Sequence, residues 1–257
     1  MPQRKSGISR HWASILLAPL LLFPPLLLGN AQQNEQAQAI VAQADRIRFP
    51  QEDFEVQVLI TSTSPGRTPD VRQFEILSKG NENTIVRTTA PPSERGQILL
   101  MRGRDLWVFM PNLSQPIRLP LAQRLTGQVA NGDLARANFA GDYDPSILRT
   151  EEIDGELHYV LELSAVDRGV TYHRVLYWVS QETFRPHKAE FYAVSGRLLK
   201  TAYYTDFTQM LGTERPRRLV MVDAVNEGDR SVLEYSDLVL RELPDRMFHR
   251  EYLRRLR

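Results

Sequence analysis

The chain has 257 residues, 32 Lys and Arg against 31 Asp and Glu, and a formal charge of +1. So even a balance lacks the basic footprint of a nucleic-acid binder, and no nucleic-acid partner is expected. There is no cysteine, which excludes a disulfide framework, thiol catalysis, thiolate metal sites and a lipobox.

The first 31 residues read as an export signal. Arg4, Lys5 and Arg10 precede an uncharged apolar run from Trp12 to Leu28. Gly29 and Ala31 then supply the small residues of a cleavage site, so cleavage after Ala31 is expected. The competing reading is an uncleaved membrane anchor. Pro19, Pro24 and Pro25 interrupt the run, which falls just short of the roughly 18 apolar residues of a spanning helix. The segment removes three basic and no acidic residues, so residues 32–257 stay near neutral. They carry no linker or internal repeat, and one domain is the simplest division.

In chain order, Glu35 to Phe49 is predicted helical. Ala37, Ile40, Val41, Ala44 and Ile47 recur at spacings of three and four, with Gln and Arg on the other face. Pro50 ends the helix. Strands are expected over Phe54–Ser62, Val71–Ser78, Asn83–Thr89, Gly96–Arg102 and Asp105–Met110, separated by Gly- and Pro-containing turns. Residues 117–147 form a proline-punctuated insert with Leu119, Leu121, Leu125, Val129, Leu134 and Phe139 among polar residues. Short amphipathic lid helices are expected there. Seven further strands run from Leu148 to Leu240, joined at Asp154-Gly155, Ser195-Gly196 and Glu227-Gly228. Pro244 to Leu256 reads as a helix with Phe248, Tyr252 and Leu256 on one stripe. About twelve strands with no βαβ alternation imply a mainly β protein with one antiparallel, curved sheet.

Alternation puts Val56 and Val58, then Tyr159, Leu161 and Leu163, then Ala189 and Phe191, then Leu219 and Met221, on apolar faces. Such a face needs a cover, and no second large sheet is available. The N-terminal helix and the insert are the candidates. The expected inward set is therefore Ile40, Val41, Ala44, Ile47, Val56, Val58, Trp107, Phe109, Leu125, Phe139, Tyr159, Leu161, Leu163, Phe191, Leu219 and Met221. Any single aromatic among them is more often plain core than cavity wall. The same holds for Met101, Met110 and Met221, although methionines suit a pocket for variable chains. In Ile98–Met101 and Leu106–Met110 both faces are apolar, and the inward side stays open.

Chemistry-bearing motifs are scarce. His11, His158, His173, His187 and His249 form no HxxxH or HExxH pair. There is no GxSxG elbow. Asp142-Tyr143-Asp144 offers too few oxygens for Ca²⁺ and reads as loop solvation or a helix cap. No metal, cofactor or enzymatic activity is expected. Arg250, Arg254, Arg255 and Arg257 either meet lipid head groups or complete an exposed helix end.

Several stretches also carry a resemblance. ADRIRFP from Ala44, PPSERGQILLMRGRDLWVFMP from Pro91 and PIRLPLAQRLTGQVANGDLARANFAGDYD from Pro116 are the longest. FRPHKAEFYAVSGRLLKTAYY from Phe184 and LPDRMFHREYL from Leu243 complete the set. Over essentially all of residues 32–257 the chain resembles the outer-membrane lipoprotein-sorting proteins, relatives of the LolA periplasmic carrier. The resemblance implies an unclosed β-barrel wrapped around lid helices near 35–49 and 117–147. It also implies a periplasmic monomer that holds a lipidated protein or lipid cargo, with an inner-membrane exporter and an outer-membrane acceptor as partners. A non-transporting interaction module of an envelope-assembly complex is the alternative; a lipid hydrolase is a distant third.

Overall fold

The computed structural model describes Met1, residues 25–136 and residues 138–253. The expected export signal lies mostly outside the described residues. One 13-stranded antiparallel sheet dominates. Its strands are β1 (Phe54–Thr63), β2 (Asp70–Lys79), β3 (Asn83–Ala90), β4 (Ile98–Arg102), β5 (Asp105–Phe109) and β6 (Ile117–Leu119), then β9 (Tyr143–Ile153), β10 (Glu156–Ala165), β11 (Arg174–Ser180), β12 (Pro186–Tyr192), β13 (Leu198–Met210), β14 (Thr213–Asp223) and β15 (Arg230–Leu240). A ribbon of β7 (Arg124–Thr126) and β8 (Val129–Ala130) stands apart.

The strand order explains the shape. It runs β6-β5-β4-β3-β2-β1-β15-β14-β13-β12-β11-β10-β9. Every hairpin joins sequence neighbours, and the first and last strands pair in the middle. The free edges are therefore β6 and β9, which lie in mid-chain. Residues 120–142 connect those two edges, so the insert crosses the gap where a barrel would close. Asp154 and Gly155 both take positive φ, 52° and 84°, the two-residue geometry that matches strand twist.

Inside the sheet sits α1 (Pro25–Arg48). It packs on β9, β12 and β14, and on the short α3 (Phe139–Asp142). Ala37, Ile40, Val41 and Ala44 are its buried stripe, and burying Ile40 and Val41 contributes roughly 2 kcal/mol each. Strand β1 alternates as expected, with Phe54, Val56, Val58 and Ile60 all buried on the face toward α1.

Four expectations need correction. First, α1 begins at Pro25 rather than Glu35, and Arg48 is buried rather than on a wet face. Second, the insert mixes the expected short helices with short strands. Among the described residues its helices are α2 (Asn131–Ala135) and α3, and they follow the strands β6 to β8, where Pro116, Pro120 and Gly127 break any helical run. Third, Tyr143 starts a strand, and β9 begins five residues before the expected Leu148. Fourth, the segment after β15 is a 3-10 turn, Asp245–Phe248, followed by hydrogen-bonded turns rather than an α-helix. Phe248 and Leu253 bury with Leu243 against the outer face of β3–β5, a spacing that a single helical stripe does not produce. The predicted stripe's last member, Leu256, lies outside the described residues.

Candidate functional site

The inner face of the sheet, α1 and the insert share one apolar cluster. Of the expected inward residues, Ile40, Val41, Ala44, Val56, Val58, Phe139, Leu161, Leu163, Phe191, Leu219 and Met221 are buried in it. Leu125 and Tyr159 pack against it half-buried. Ile47 is half-buried at the helix end. Trp107 and Phe109 stand elsewhere: both belong to the outer cluster under the C-terminal strap. Their strand neighbours Leu106 and Val108 face inward instead. Both faces of β4 and β5 are covered, which is why alternation left their inward side open.

Little space remains inside. A void of about 20 Å³ is bounded by Arg48, Asp133, Phe139, Tyr172, Phe191 and Tyr204, room for about one water. The surroundings of that void are polar. Arg48 Nη1 donates to Asp45 Oδ1 at 3.0 Å, with side chains 8 % and 6 % exposed. Asp45 Oδ2 also accepts the Ala140 N–H at 2.8 Å. The Arg48 guanidinium stacks 4.2 Å over the Phe139 ring. Burial pushes the Asp45 carboxyl up to about 6, although Arg48 opposes the rise.

Two further buried ion pairs fasten the insert. Lys200, on β13, donates to Asp133 and to the Gln128 carbonyl at 2.6 Å. The Tyr172 hydroxyl donates to the same carboxylate at 2.8–2.9 Å. Burial lowers the Lys200 pKa while Asp133 works against that, and burial then Asp133 raises Tyr172 well above its ordinary value. Tyr172 therefore remains a neutral donor. At the other end, Asp142 accepts from Arg136 and from Arg104 at 3.0 Å. Arg136 also donates to the Gly103 carbonyl at 2.8 Å, tying the insert to the β4–β5 turn. Asp142, read from sequence as loop or cap, is thus a buried hub between two arginines. Gln38 closes the set by donating to the Ala140 carbonyl at 2.7 Å.

The ribbon docks by close approach. Gln128 N–H donates to Ser231 Oγ at 2.9 Å, and Ser231 and Ser62 hydroxyls bond at 2.8 Å. Gly127, at φ +49°, passes so near that a Cβ would run into both serines. Among the described residues no group of three or more His, Asp or Glu is placed to hold a metal.

Sequence reasoning missed two adjoining grooves at the edge of the cluster, which supplies Val129, Ala130, Val170 and Tyr172 to their walls. One, of about 790 Å³, runs between the loop 166–173 and the hairpin 193–197. The other, of about 320 Å³, lies beside Arg124, Arg197 and Lys200. The residues lining them come from four separate segments, within 122–130, 165–173, 192–200 and 223–226.

An open antiparallel sheet wrapped around a helix, its gap bridged by an insert latched through polar side chains, defines a LolA-like protein. The comparisons agree. A family model described as "-like: Uncharacterized protein" matches residues 80–255. A LolA superfamily protein from Nitrosomonas europaea is 61% identical, over 84% of this chain and 98% of that one, with a TM-score of 0.82. The chain belongs to the LolA superfamily. Two more distant structures share the fold at 20% identity, each covering 86% of this chain and 99% of its own. They are a DUF1329 family protein from Desulfovibrio piger, TM-score 0.74, and a domain described as an outer membrane lipoprotein-sorting protein from Vibrio parahaemolyticus, TM-score 0.73. No curated protein matches.

Proposed function

We propose that this chain is a periplasmic carrier. It is exported with cleavage after Ala31, holds the acyl chains of a lipoprotein or lipid against the inner face of the sheet, and moves them toward the outer membrane. The observation that carries this reading is the cover. The inner apolar face is closed by α1 and by an insert that spans both free edges, and among the described residues no second large sheet seals it. Among the described residues no helix is long and apolar enough to cross a membrane.

The energetics suit a reversible load. One acyl chain buries CH₂ groups worth about 0.8 kcal/mol each, on the order of 10 kcal/mol in all. The void of about 20 Å³ beside Arg48 and Phe139 has no room for a chain. Loading therefore requires the insert to leave, and breaking its latches offsets part of the gain. An inner-membrane exporter and an outer-membrane acceptor would deliver and receive the cargo.

The filled interior favours one other reading. A docking module of an envelope complex would keep this closed state and present its surface to a protein partner. Native mass spectrometry with lipid extraction, on protein purified from periplasm without detergent, separates the two. A discrete extractable mass supports the carrier. A bare chain that stays bare with excess lipopeptide rejects it and directs attention to envelope partners.

A further inference from the structure

The two grooves at the edge of the inner cluster are halves of one surface. They share Ala122, Tyr172 and Leu199. The larger has apolar walls from Val170, Tyr172, Ala193, Val194 and Leu199. The smaller is polar and brings Arg124, Arg197, Lys200 and Gln128 together. Beneath them the Lys200–Asp133–Tyr172 cluster divides the grooves from the interior void, since Asp133 and Tyr172 border that void too. This surface therefore adjoins the face assigned to cargo through Val170 and Tyr172, and the locked variant below tells the two sites apart.

The charges around it are unevenly spent. Asp133 is occupied by Lys200 and Tyr172. Asp167 is occupied by Arg104 and the Gly169 N–H. Asp223 accepts the Val225 and Asn226 N–H groups at 2.7 and 2.8 Å. The exposed Arg124, Arg168 and Arg197 make no ion pair among the described residues. Arg124 and Arg197 line the polar half and Arg168 the apolar one, although the Arg124 charge also reaches Asp223. The walls carry solvent-facing valines: Val225 is 65% exposed and Val194 81%. An apolar trough ending in unpaired guanidinium groups is complementary to a long apolar chain with an anionic head.

We propose that this composite groove binds a single-chain phospholipid with a net negative head. The chain lies along Val170, Val194 and Leu199. The phosphate sits at Arg124 and Arg197, over the buried Lys200. The volume of about 790 Å³ is within the ordinary range for a small-molecule site.

The test is calorimetric titration of the full chain with lysophosphatidylglycerol below its micelle concentration. A monoacylglycerol of equal chain length and glycerol 3-phosphate are the comparison ligands. The expected order is lysophosphatidylglycerol tighter than monoacylglycerol by about tenfold or more, with glycerol 3-phosphate far weaker. The double variant Arg124→Ala, Arg197→Ala should erase the difference between the two lipids, and so should high salt. Equal affinity for both lipids, tighter binding of glycerol 3-phosphate than of either lipid, or no binding overturns the proposal.

A lid-locked variant keeps this separate from the carrier reading. Gln38→Cys with Ala140→Cys places the chain's only thiols across the α1–insert contact. When oxidised it should still bind lysophosphatidylglycerol while refusing lipopeptide. Loss of lysophosphatidylglycerol on locking would move that lipid to the interior and overturn the groove. Lipopeptide uptake by the locked protein would instead overturn the carrier.

Discussion

The sheet is covered twice, and the two covers are built differently. Over its outer face lies the strap from Leu243 to Leu253, whose buried side chains are apolar: Leu243, Phe248 and Leu253 close over Leu77, Ile85, Leu100 and Phe109, while the Leu243 backbone bonds to Lys79 and Asp53. Its ion pair is at the rim, where Lys79 meets the 84% exposed Asp245. Over the inner face the insert also buries apolar residues, but it is held by Asp142 between two arginines, by Asp133 on Lys200 and by Ala140 on Asp45. An apolar cover gains from burial alone and resists re-exposure to water. A cover held by charge pairs gives back much less when water arrives, because the charges regain their hydration. The inner cover is thus the one suited to leave.

The largest effect should come from Asp142→Ala. It strands Arg136, whose side chain is 5% exposed, and removing one partner of a buried pair costs about 3–5 kcal/mol. Urea unfolding should show that loss, and hydrogen exchange should show amides of the insert exchanging faster than those of the strap. Equal acceleration in both would break the contrast. Phe248→Ala is expected to cost about 3 kcal/mol and to loosen only the strap, leaving lipid uptake unchanged; altered uptake would tie the two covers together.

The Asp45 prediction is a pH window. Its folded pKa is about 6 against an ordinary 3.8, so the folded state binds the proton more tightly. Its charged form is a cost above pH 6 that fades as pH falls toward 3.8. Asp45→Asn, which keeps an acceptor for Ala140, removes this dependence. The stability of wild type relative to the variant should therefore rise by on the order of 2 kcal/mol between pH 6 and 3.8. A flat difference across that window would refute the buried charge. Smallest is Thr126→Val, which removes a 2.8 Å hydrogen bond to Asp70 and should cost about 1 kcal/mol, read as a small shift in thermal midpoint.

Much of the sheet was legible because one face of most strands is wet. Period-two alternation identified Val56 and Val58, Leu161 and Leu163, and Leu219 and Met221 as inward pairs. It failed at Trp107 and Phe109 for a physical reason. A strand covered on both sides has no polar face to mark direction. Two of the latches were illegible because their partners are remote in sequence. Ala140 and Asp45 are 95 residues apart, and Lys200 and Asp133 are 67. Arg48 reads as a solvent residue until Asp45 and the Phe139 ring surround it. The grooves were hidden for the same reason, being assembled from loops that no local pattern connects.

The pairing of the first strand with the last also sets an order of events. Thr63 faces Arg230 across the middle of the sheet, so β1 has an open edge until the final strand has been made. A ribosome delivers this chain from its N-terminal end. Until β15 is in place the two meanders have no seam between them, and long-range closure of that kind is slow. The exposed edge of β1, with Val58 and Ile60 on it, is where a chaperone would act and where unfinished chains would stick to one another.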